Sequence, residues 1–232
     1  MKLRSLTAFF PAYNDGGTIA SMVILAGQIA PAVADDFEVL VVNDGSRDHT
    51  GDVLAGLTKC CPRLRVVTHA QNQGYGSALR AGFAHARGDW VFYTDGDAQY
   101  DPRELAALVA AVRDDVDVVN GYKIARADPW HRIVIGRLYH HFCRLAFGIR
   151  LRDVDCDFRL IRRDLLARVP LASTDGTICV EMIRRFQDAG ARIVEVPVHH
   201  HFRTFGRSQF FNGRRLVRVA GHLARLWWRL RA

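Results

Sequence analysis

The sequence predicts an α/β protein in which helices cover both faces of a mainly parallel sheet. Short apolar runs rich in β-branched and aromatic residues alternate with stretches of helical periodicity along the first half of the chain. That alternation is typical of successive β-α units. With 232 residues, 49% of them hydrophobic, the chain can also bury the core of one ordinary globular domain.

The first half of the chain supplies five predicted strands and four predicted helices. The apolar runs predict strands at Leu6–Phe10, Phe37–Val42, Leu64–Thr68, Trp90–Thr94 and Val116–Asn120. The periodic stretches between them predict helices at Thr18–Ala30, Thr50–Cys60, Ser77–Ala86 and Pro102–Arg113. Ligands of such sheets bind beyond the carboxyl ends of the strands, so the functional residues are expected there.

After Asn120 the strict alternation lapses. The remaining predicted elements are a basic, aromatic helix, a strand, a second helix and a last strand, at Trp130–Phe147, Phe158–Ile161, Gly176–Ala189 and Arg192–Val198. No linker rich in Pro, Gly or Ser separates this half from the first. We expect it to complete the site instead of forming a separate domain.

The excess positive charge lies in the C-terminal tail. Eight arginines and no acidic residue follow from Arg203 to Ala232, which leaves 24 of the 32 basic residues against 24 acidic ones in the rest of the chain. Such a tail attracts an anionic partner, namely nucleic acid, an anionic membrane surface or a substrate phosphate. Its periodicity from Phe210 to Ala232 predicts an amphipathic helix, which either lies on the cytoplasmic leaflet or packs back on the domain.

Cysteine usage and hydropathy predict a cytoplasmic protein. The five cysteines, with Cys60 and Cys61 adjacent and no Cys-x-x-Cys pair, form neither a disulfide framework nor a zinc site. The longest uncharged run, Gly16–Ala34, has helical apolar spacing and is interrupted by Gln28 and Pro31, so we interpret it as a soluble amphipathic helix. No export signal is evident. Peripheral contact with the cytoplasmic face of the membrane follows if the tail helix lies there.

Polar residues follow three of the predicted strands, at Pro11–Asp15, Asn43–Ser46 and Asp95–Gln99. Because the carboxyl ends of parallel strands meet at one edge of a sheet, these segments are expected to converge on one crevice. Asn, Asp, Gly and Ser are also the residues of ordinary turns and helix caps, so a purely structural role stays open, above all for Asn43–Ser46.

The third segment predicts a metal site. Asp95 and Asp97 are two residues apart directly after an apolar strand, so an extended backbone directs both carboxylates to the same side. Gln99 continues the spacing and offers a third oxygen. Mg²⁺ and Mn²⁺ commonly bind through one or two carboxylates together with substrate phosphates. A metal held here would neutralise a diphosphate leaving group.

Three other polar segments contain residue types that also occur in dinucleotide-binding, catalytic or metal sites. Gly74-Tyr75-Gly76 lacks the third glycine of a dinucleotide fingerprint, since Leu79 stands at that position, and is interpreted as a flexible turn before a helix. The acids Asp153, Asp155 and Asp157 are interpreted as structural residues that form ion pairs. Asp153 is also kept as the reserve candidate for a general base. His199–His201 cannot converge on one metal from a strand, because neighbours alternate faces, and are interpreted as loop or strand-end residues.

Seven short motifs occur along the chain in the same order as in a known protein family. They are Pro-x-Tyr-Asn at 11–14, Asn-Asp-Gly-Ser at 43–46, Asn-x-Gly-Tyr-Gly at 72–76, Gly-Asp followed by Asp-Gly-Asp-Ala-Gln within 88–99, Asp-x-Asp-x-Asp-Phe-Arg-Leu at 153–160, Glu-Val-Pro-Val at 195–198 and Arg-x-x-Gly-x-Ser at 203–208. Together they resemble glycosyltransferase family 2, in the branch of dolichyl-phosphate mannose synthase and bacterial polyprenyl-phosphate glycosyltransferases. The resemblance implies a GT-A (Rossmann-like) αβα sandwich over residues 1–209, followed by the basic amphipathic helix at 210–232.

The resemblance also implies the site. Residues around the nucleotide of a sugar-nucleotide donor would be Pro11, Tyr13, Asp15, Asp44 and Gly96, with Arg203 reaching the diphosphate and Ser208 in the closing loop. Asp95, Asp97 and Gln99 would hold Mg²⁺ or Mn²⁺. Lys123 and Arg132 stand where the family has basic groups for the acceptor phosphate, and Arg126 is a local addition. Asp97, Lys123 and Arg132 are therefore the expected catalytic residues.

The implied reaction moves one sugar from a nucleoside diphosphate sugar to a polyprenyl phosphate, with inversion at the anomeric carbon. Lys at position 123, where the family often has Arg, lacks the two-pronged fork that grips phosphate, so a saccharide or small-molecule hydroxyl remains an alternative acceptor. A nucleic-acid-binding module driven by the tail is the least favoured alternative. The body of the chain is neutral and the site acidic, so no nucleic-acid partner is expected.

Overall fold

The computed structural model describes residues 2–124, 130–203, 205 and 213–231. Its strands are β1 (Leu3–Ala12), β2 (Ala34–Asn43), β3 (Leu64–Thr68), β4 (Trp90–Thr94), β5 (Val118–Ile124), β6 (Phe158–Arg162) and β7 (Ile193–His199). Its helices are α1 (Ile19–Val33), α2 (Thr50–Cys60), α3 (Tyr75–His85), α4 (Leu105–Ala110), α5 (Trp130–Phe147), α6 (Arg163–Arg168), α7 (Ile178–Asp188) and α8 (Gly213–Arg229), with a 3-10 turn at Pro102–Glu104.

The strands form one seven-stranded sheet in the order β3-β2-β1-β4-β6-β5-β7. Neighbours from β3 to β4 are parallel, as are β5 and β7. Strand β6 runs antiparallel to both β4 and β5. The predicted mainly parallel α/β sheet is confirmed. The reversed β6 is a difference that hydrophobic periodicity cannot reveal, since period two is the same in either direction.

Apolar side chains pack on both faces of the sheet. One face is covered by α1, α2 and α4, which contribute Ile19, Leu54 and Leu108 to its core. The other is covered by α3, α5, α6, α7 and α8. Strand β4 is buried along its whole length, as expected for a parallel strand covered on both sides.

Element bounds differ from the predictions where polar residues interrupt the apolar pattern. Strand β1 begins at Leu3 and not at Leu6, because pairing with Ala34 and Asp36 extends it through the polar Arg4 and Ser5. The predicted helix Pro102–Arg113 is a 3-10 turn followed by the shorter α4. Helix α6 was not predicted, since six residues are too few to display helical periodicity.

Helix α8 packs back on the domain. Leu223 and Leu226 are buried in the same apolar cluster as α3 and α7. Arg229 Nη2 lies 3.3 Å from Oε2 of the buried Glu181 and donates to Ser173 Oγ at 2.8 Å. Of the two arrangements expected for the tail, this is the packed one, although Trp228 remains 71% exposed. Among the described helices, none has the length and apolar character needed to cross a bilayer.

Glycine 82 provides a test of the packing between α3 and β1. A Cβ at this position would lie 2.1 Å from the ring of Phe9, which is fully buried. We expect Gly82→Ala to lower the free energy of unfolding by about 1–3 kcal/mol in a urea titration, because the buried ring cannot move away. The control Gly56→Ala lies on α2 with nothing within 4 Å of its Cβ, and should instead stabilise the protein by about 0.5–1 kcal/mol. Equal effects of the two variants would contradict this packing.

Candidate functional site

The carboxyl ends of β1, β2 and β4 form one connected rim. The Asp44 amide donates to Ala12 O at 2.9 Å, which joins the loops after β2 and β1. The Gly96 amide donates to Pro11 O at 3.2 Å, and Thr18 Oγ1 donates to Gly96 O at 2.8 Å. The three segments expected to converge are therefore adjacent.

Asp95 and Asp97 both stand at this rim directly after β4. Asp97 is only 4% exposed. Its Oδ1 accepts a hydrogen bond from the Gln99 amide at 3.0 Å, and its Oδ2 forms an ion pair with Arg203 Nη2. Asp95 Oδ1 accepts a hydrogen bond from the Tyr75 hydroxyl at 2.8 Å. One carboxylate thus already holds a cationic group, and the other is held by a phenol.

Arg203 reaches Asp97 because the segment after β7 is hydrogen-bonded to the loop after β4. The His201 amide donates to Gln99 O at 2.8 Å, and Gln99 Nε2 donates to His201 O at 3.2 Å. Within the described part of the chain, the buried Nε of Arg203 has no hydrogen-bond partner. The guanidinium therefore binds one carboxylate and retains a donor for another anion.

The acidic groups of the rim lie in a poorly hydrated environment. Burial raises the pKa of Asp95 well above its usual range, and the nearby carboxylates of Asp157 and Asp97 raise it further. Burial also raises the pKa of Asp15 to about 6, against the hydrogen bond from the Tyr13 amide that lowers it. A cluster with these properties favours a ligand that brings positive charge.

The carboxylates of Asp95 and Asp97 alone do not fill the coordination shell of a hard divalent cation, so oxygens from other groups must complete it. No three His, Cys, Asp or Glu side chains converge as a metal site in the described residues. Asp95 and Asp97 offer two carboxylates, which is the number through which Mg²⁺ or Mn²⁺ is commonly bound beside substrate phosphates. The ion pair at Asp97 fits this chemistry, since the positively charged guanidinium of Arg203 already contacts one of the Asp97 carboxylate oxygens.

Asp44 is occupied by hydrogen bonds from its own neighbourhood. Its Oδ1 lies 2.7 Å from His69 Nδ1 and accepts from the Gln73 amide at 2.9 Å. Its Oδ2 accepts from Asn72 Nδ2 at 3.0 Å and from the Gly74 amide at 2.9 Å. The residue is 2% exposed. This carboxylate holds the segment before α3, and the nucleotide contact that the resemblance implies for Asp44 stays a prediction.

Other residues expected at the donor lie on the β1 side of the rim. Pro11 and Gly96 are joined through their backbones, and both are buried. Tyr13 and Asp15 are half-buried, with the Tyr13 amide donating to Asp15 Oδ2 at 3.0 Å. Ser208 lies outside the described residues.

The structure describes only some of the residues that are expected to bind the acceptor phosphate. Lys123 Nζ donates to Asp155 O at 2.7 Å and lies 3.7 Å from Asp153 Oδ2, so the second acidic set holds it near the end of β5. Burial raises the pKa of Asp155 to about 7, although the positive charge of Lys123 lowers it. Arg126 and the side chain of Arg132 lie outside the described residues. The ion pairs of Asp153 with Lys123 and of Asp157 with Arg159 agree with the scaffolding interpretation of this acidic set.

Two residues outside the predicted site contact the acidic cluster. Tyr75 donates to Asp95, and the wholly buried Arg159 pairs with Asp157 and donates to Tyr93 Oη and to Asn120 Oδ1. Both stand inside quoted motifs, Asn-x-Gly-Tyr-Gly and Asp-x-Asp-x-Asp-Phe-Arg-Leu. Their motifs were the only available signal, because spacing alone does not reveal contacts between distant segments.

Comparison with known proteins identifies a family for this chain. The model of the family described as glycosyl transferase family 2 matches residues 7–169. A relative from Enterobacter sp. (strain 638), undecaprenyl-phosphate 4-deoxy-4-formamido-L-arabinose transferase, is 28% identical over 210 residues, which is 90% of this chain. The chain spans 63% of the length of that relative.

Solved structures show the same fold. Glucosyl-3-phosphoglycerate synthase from Mycobacterium tuberculosis in complex with phosphoglyceric acid superposes with a TM-score of 0.68 at 22% identity, covering 88% of this chain and 73% of that one. The same synthase with Mn²⁺ and uridine-diphosphate-glucose gives 0.67 at 22% identity, covering 89% and 73%. The predicted GT-A architecture is confirmed.

The raised pKa of Asp15 predicts a pH-dependent stability. The carboxyl has a pKa of 3.8 in its ordinary state and about 6 in the folded protein. Between these values the folded state binds the proton more tightly than the unfolded state, so ionisation makes the free energy of unfolding fall as pH rises through this window. We expect the stability of Asp15→Asn relative to wild type to increase over the window and to level off above it.

Urea titrations at about pH 4, 5, 6 and 7 measure this difference. The control is Asp35→Asn, an exposed aspartate on β2, whose difference from wild type should change little. A difference for Asp15→Asn that is independent of pH would contradict the assigned pKa.

Proposed function

The chain belongs to glycosyltransferase family 2, and we propose that it transfers one sugar from a nucleoside diphosphate sugar to a polyprenyl phosphate, with inversion at the anomeric carbon. The observation that carries the proposal is the Asp97–Arg203 ion pair beside Asp95 at the end of β4. It brings together two carboxylates suited to a divalent cation and an arginine suited to a diphosphate.

The donor side follows from the charges of these residues. Mg²⁺ or Mn²⁺ bound by Asp95 and Asp97, with Gln99 as a further oxygen donor, would stabilise the negative charge of the departing diphosphate. When the donor binds, Arg203 exchanges its contact with Asp97 for the diphosphate, which also gives a partner to its buried Nε. Pro11, Tyr13, Asp15, Asp44 and Gly96 are the proposed nucleotide contacts, and Ser208 is a further proposed donor-site residue. Asp44 also holds the segment before α3.

The acceptor side needs charge compensation more than a base. A phosphate monoester has a second pKa of about 6 and is mostly a dianion at neutral pH, so its oxygen attacks without losing a proton. Lys123, which is 11% exposed and fixed by Asp155 O, is a positive group that binds and orients such a dianion. Arg126 and Arg132 complete the acceptor set. The name of the Enterobacter relative, an undecaprenyl-phosphate transferase, supports this choice of acceptor.

The remaining proposals concern location and organisation. We place the catalytic domain at residues 1–209 and a basic C-terminal segment at residues 210–232, of which helix α8 (Gly213–Arg229) packs on the domain. A polyprenyl phosphate acceptor requires the enzyme to work at a membrane, so we place the protein in the cytoplasm, peripheral on the anionic cytoplasmic face. Exposed apolar and basic groups such as Trp228 and Arg225 are available for that contact.

Solvent extraction tests both the acceptor and the metal. The purified protein is incubated with undecaprenyl phosphate in detergent, Mn²⁺ and a panel of radiolabelled nucleoside diphosphate sugars. We expect label from one donor to enter the organic phase, and Asp97→Asn to reduce that transfer at least about a hundredfold, because the leaving group loses its charge stabilisation. Asp52→Asn, an exposed aspartate on α2, is the matched control and should transfer normally.

Two results would contradict the proposal. Transfer of label to water-soluble saccharide or small-molecule hydroxyls, with none to the lipid, would favour the alternative acceptor class. Undiminished transfer by a folded Asp97→Asn variant, or in excess EDTA, would remove the metal assignment.

A further inference from the structure

We propose that Tyr75 is a positioning residue that orients the carboxylate of Asp95 for cation binding, and that the segment from Asn72 to Gly76 is built to hold it there. This inference rests on the proposed metal site. Tyr75 is the first residue of α3, and its hydroxyl donates to Asp95 Oδ1 at 2.8 Å. Partners that hydrogen-bond to a ligating carboxylate fix its orientation and its affinity for the metal.

The phenol is suited to act as a donor to this carboxylate. Its hydroxyl oxygen lies 2.8 Å from Asp95 Oδ1, and a phenol hydroxyl has one proton to donate to a carboxylate oxygen. Its ring packs against the apolar cluster beneath α3 and α7, so the hydroxyl cannot turn away freely.

Asp44 fixes the segment from one side. Its carboxylate accepts hydrogen bonds from Asn72 Nδ2 at 3.0 Å and from the amides of Gln73 and Gly74, both at 2.9 Å. Hydrogen bonds to a charged, buried acceptor are among the stronger ones in proteins. The residues directly before Tyr75 therefore have little freedom to move.

The backbone of residues 173–174 fixes the segment from the other side. The Gly76 amide donates to Thr174 O at 3.0 Å. Gly74 has a φ of +97°, and a Cβ there would lie 2.4 Å from Thr174 O, while a Cβ at Gly76 would lie 2.5 Å from Ser173 O. Glycine on both sides of Tyr75 is thus required by close backbone contact, and the turn predicted to be flexible is tightly held.

The held segment also connects the site to α8. The Ser173 amide donates to Glu181 Oε2 at 2.7 Å, and Arg229 contacts the same carboxylate and Ser173 Oγ. The order of contacts runs from Arg229 through residues 173–174 to the turn and then to Asp95. In this proposal one role is shared by Tyr75, Asp44 and the two glycines, Gly74 and Gly76. Together they hold the Tyr75 hydroxyl against the Asp95 carboxylate.

Direct Mn²⁺ binding tests the role of the hydroxyl. Free Mn²⁺ is measured by electron paramagnetic resonance in titrations of the full chain without nucleotide. We expect Tyr75→Phe to weaken Mn²⁺ binding about tenfold, because Asp95 loses its orienting partner. The control is Tyr139→Phe, which removes a hydroxyl from another partly buried tyrosine in the same apolar cluster and should leave the affinity unchanged.

A double-mutant cycle shows whether Tyr75 acts through Asp95. In an Asp95→Asn background, Tyr75→Phe should cause no further loss of Mn²⁺ affinity. Thermal melts and circular dichroism establish that each variant is folded. If Tyr75→Phe folds poorly, Tyr75→Met removes the hydroxyl with a flexible apolar side chain and repeats the test.

The outcomes separate this inference from the proposed function. Wild-type Mn²⁺ affinity in folded Tyr75→Phe, together with weakened binding in Asp95→Asn, overturns the positioning role alone. An additive loss in the double variant also overturns it. Wild-type affinity in Asp95→Asn overturns the metal site itself, and the positioning role with it.

Discussion

The site depends on one electrostatic constraint, the concentration of carboxylates in a poorly hydrated space at the end of β4. Asp95 and Asp15 lie near Asp97 there, and burial raises the pKa of both of these carboxyls because an isolated anion is costly in such a space. In the structure, the ion pair of Arg203 with Asp97 offsets part of this unfavourable electrostatic free energy. A donor that brings a divalent cation and offers a diphosphate to the arginine would satisfy both charges at once. Under the proposed function, the acids that need charge compensation would therefore also select the class of donor.

The topology explains why two acidic sets lie together. Parallel pairing of β1 with β2 and β4 places three loops on one edge, as the strand order requires. Strand β6 runs in the opposite direction, and its first residue, Phe158, pairs with Thr94, the last residue of β4. Asp157 therefore lies beside Asp95, and Arg159 enters the core beneath both. The reversed strand brings a buried positive charge to the acidic cluster.

Much of the fold and part of the site could be predicted from the sequence. Strands β3 and β4 were predicted with their observed bounds, because each is a short apolar run between polar segments. The sequence correctly placed Asp95 and Asp97 directly after β4, but the backbone turns there instead of continuing extended, with Ala98 at a φ of +59°. The hydrogen bonds of Asp44 to Gly74 and of Tyr75 to Asp95 could not be predicted, since they join residues 30 and 20 positions apart along the chain. The direction of β6 is likewise a property of pairing and not of periodicity.

The central claim is that Asp95 and Asp97 jointly bind a divalent cation while Arg203 transfers its contact to a diphosphate. Anomalous diffraction from crystals grown with Mn²⁺ and the nucleoside diphosphate of the active donor measures this directly. The account predicts a manganese peak within about 2.3 Å of oxygens from Asp95, Asp97 and the diphosphate, with Arg203 on the diphosphate. A nucleotide bound without such a peak, with Arg203 still paired to Asp97, would contradict it.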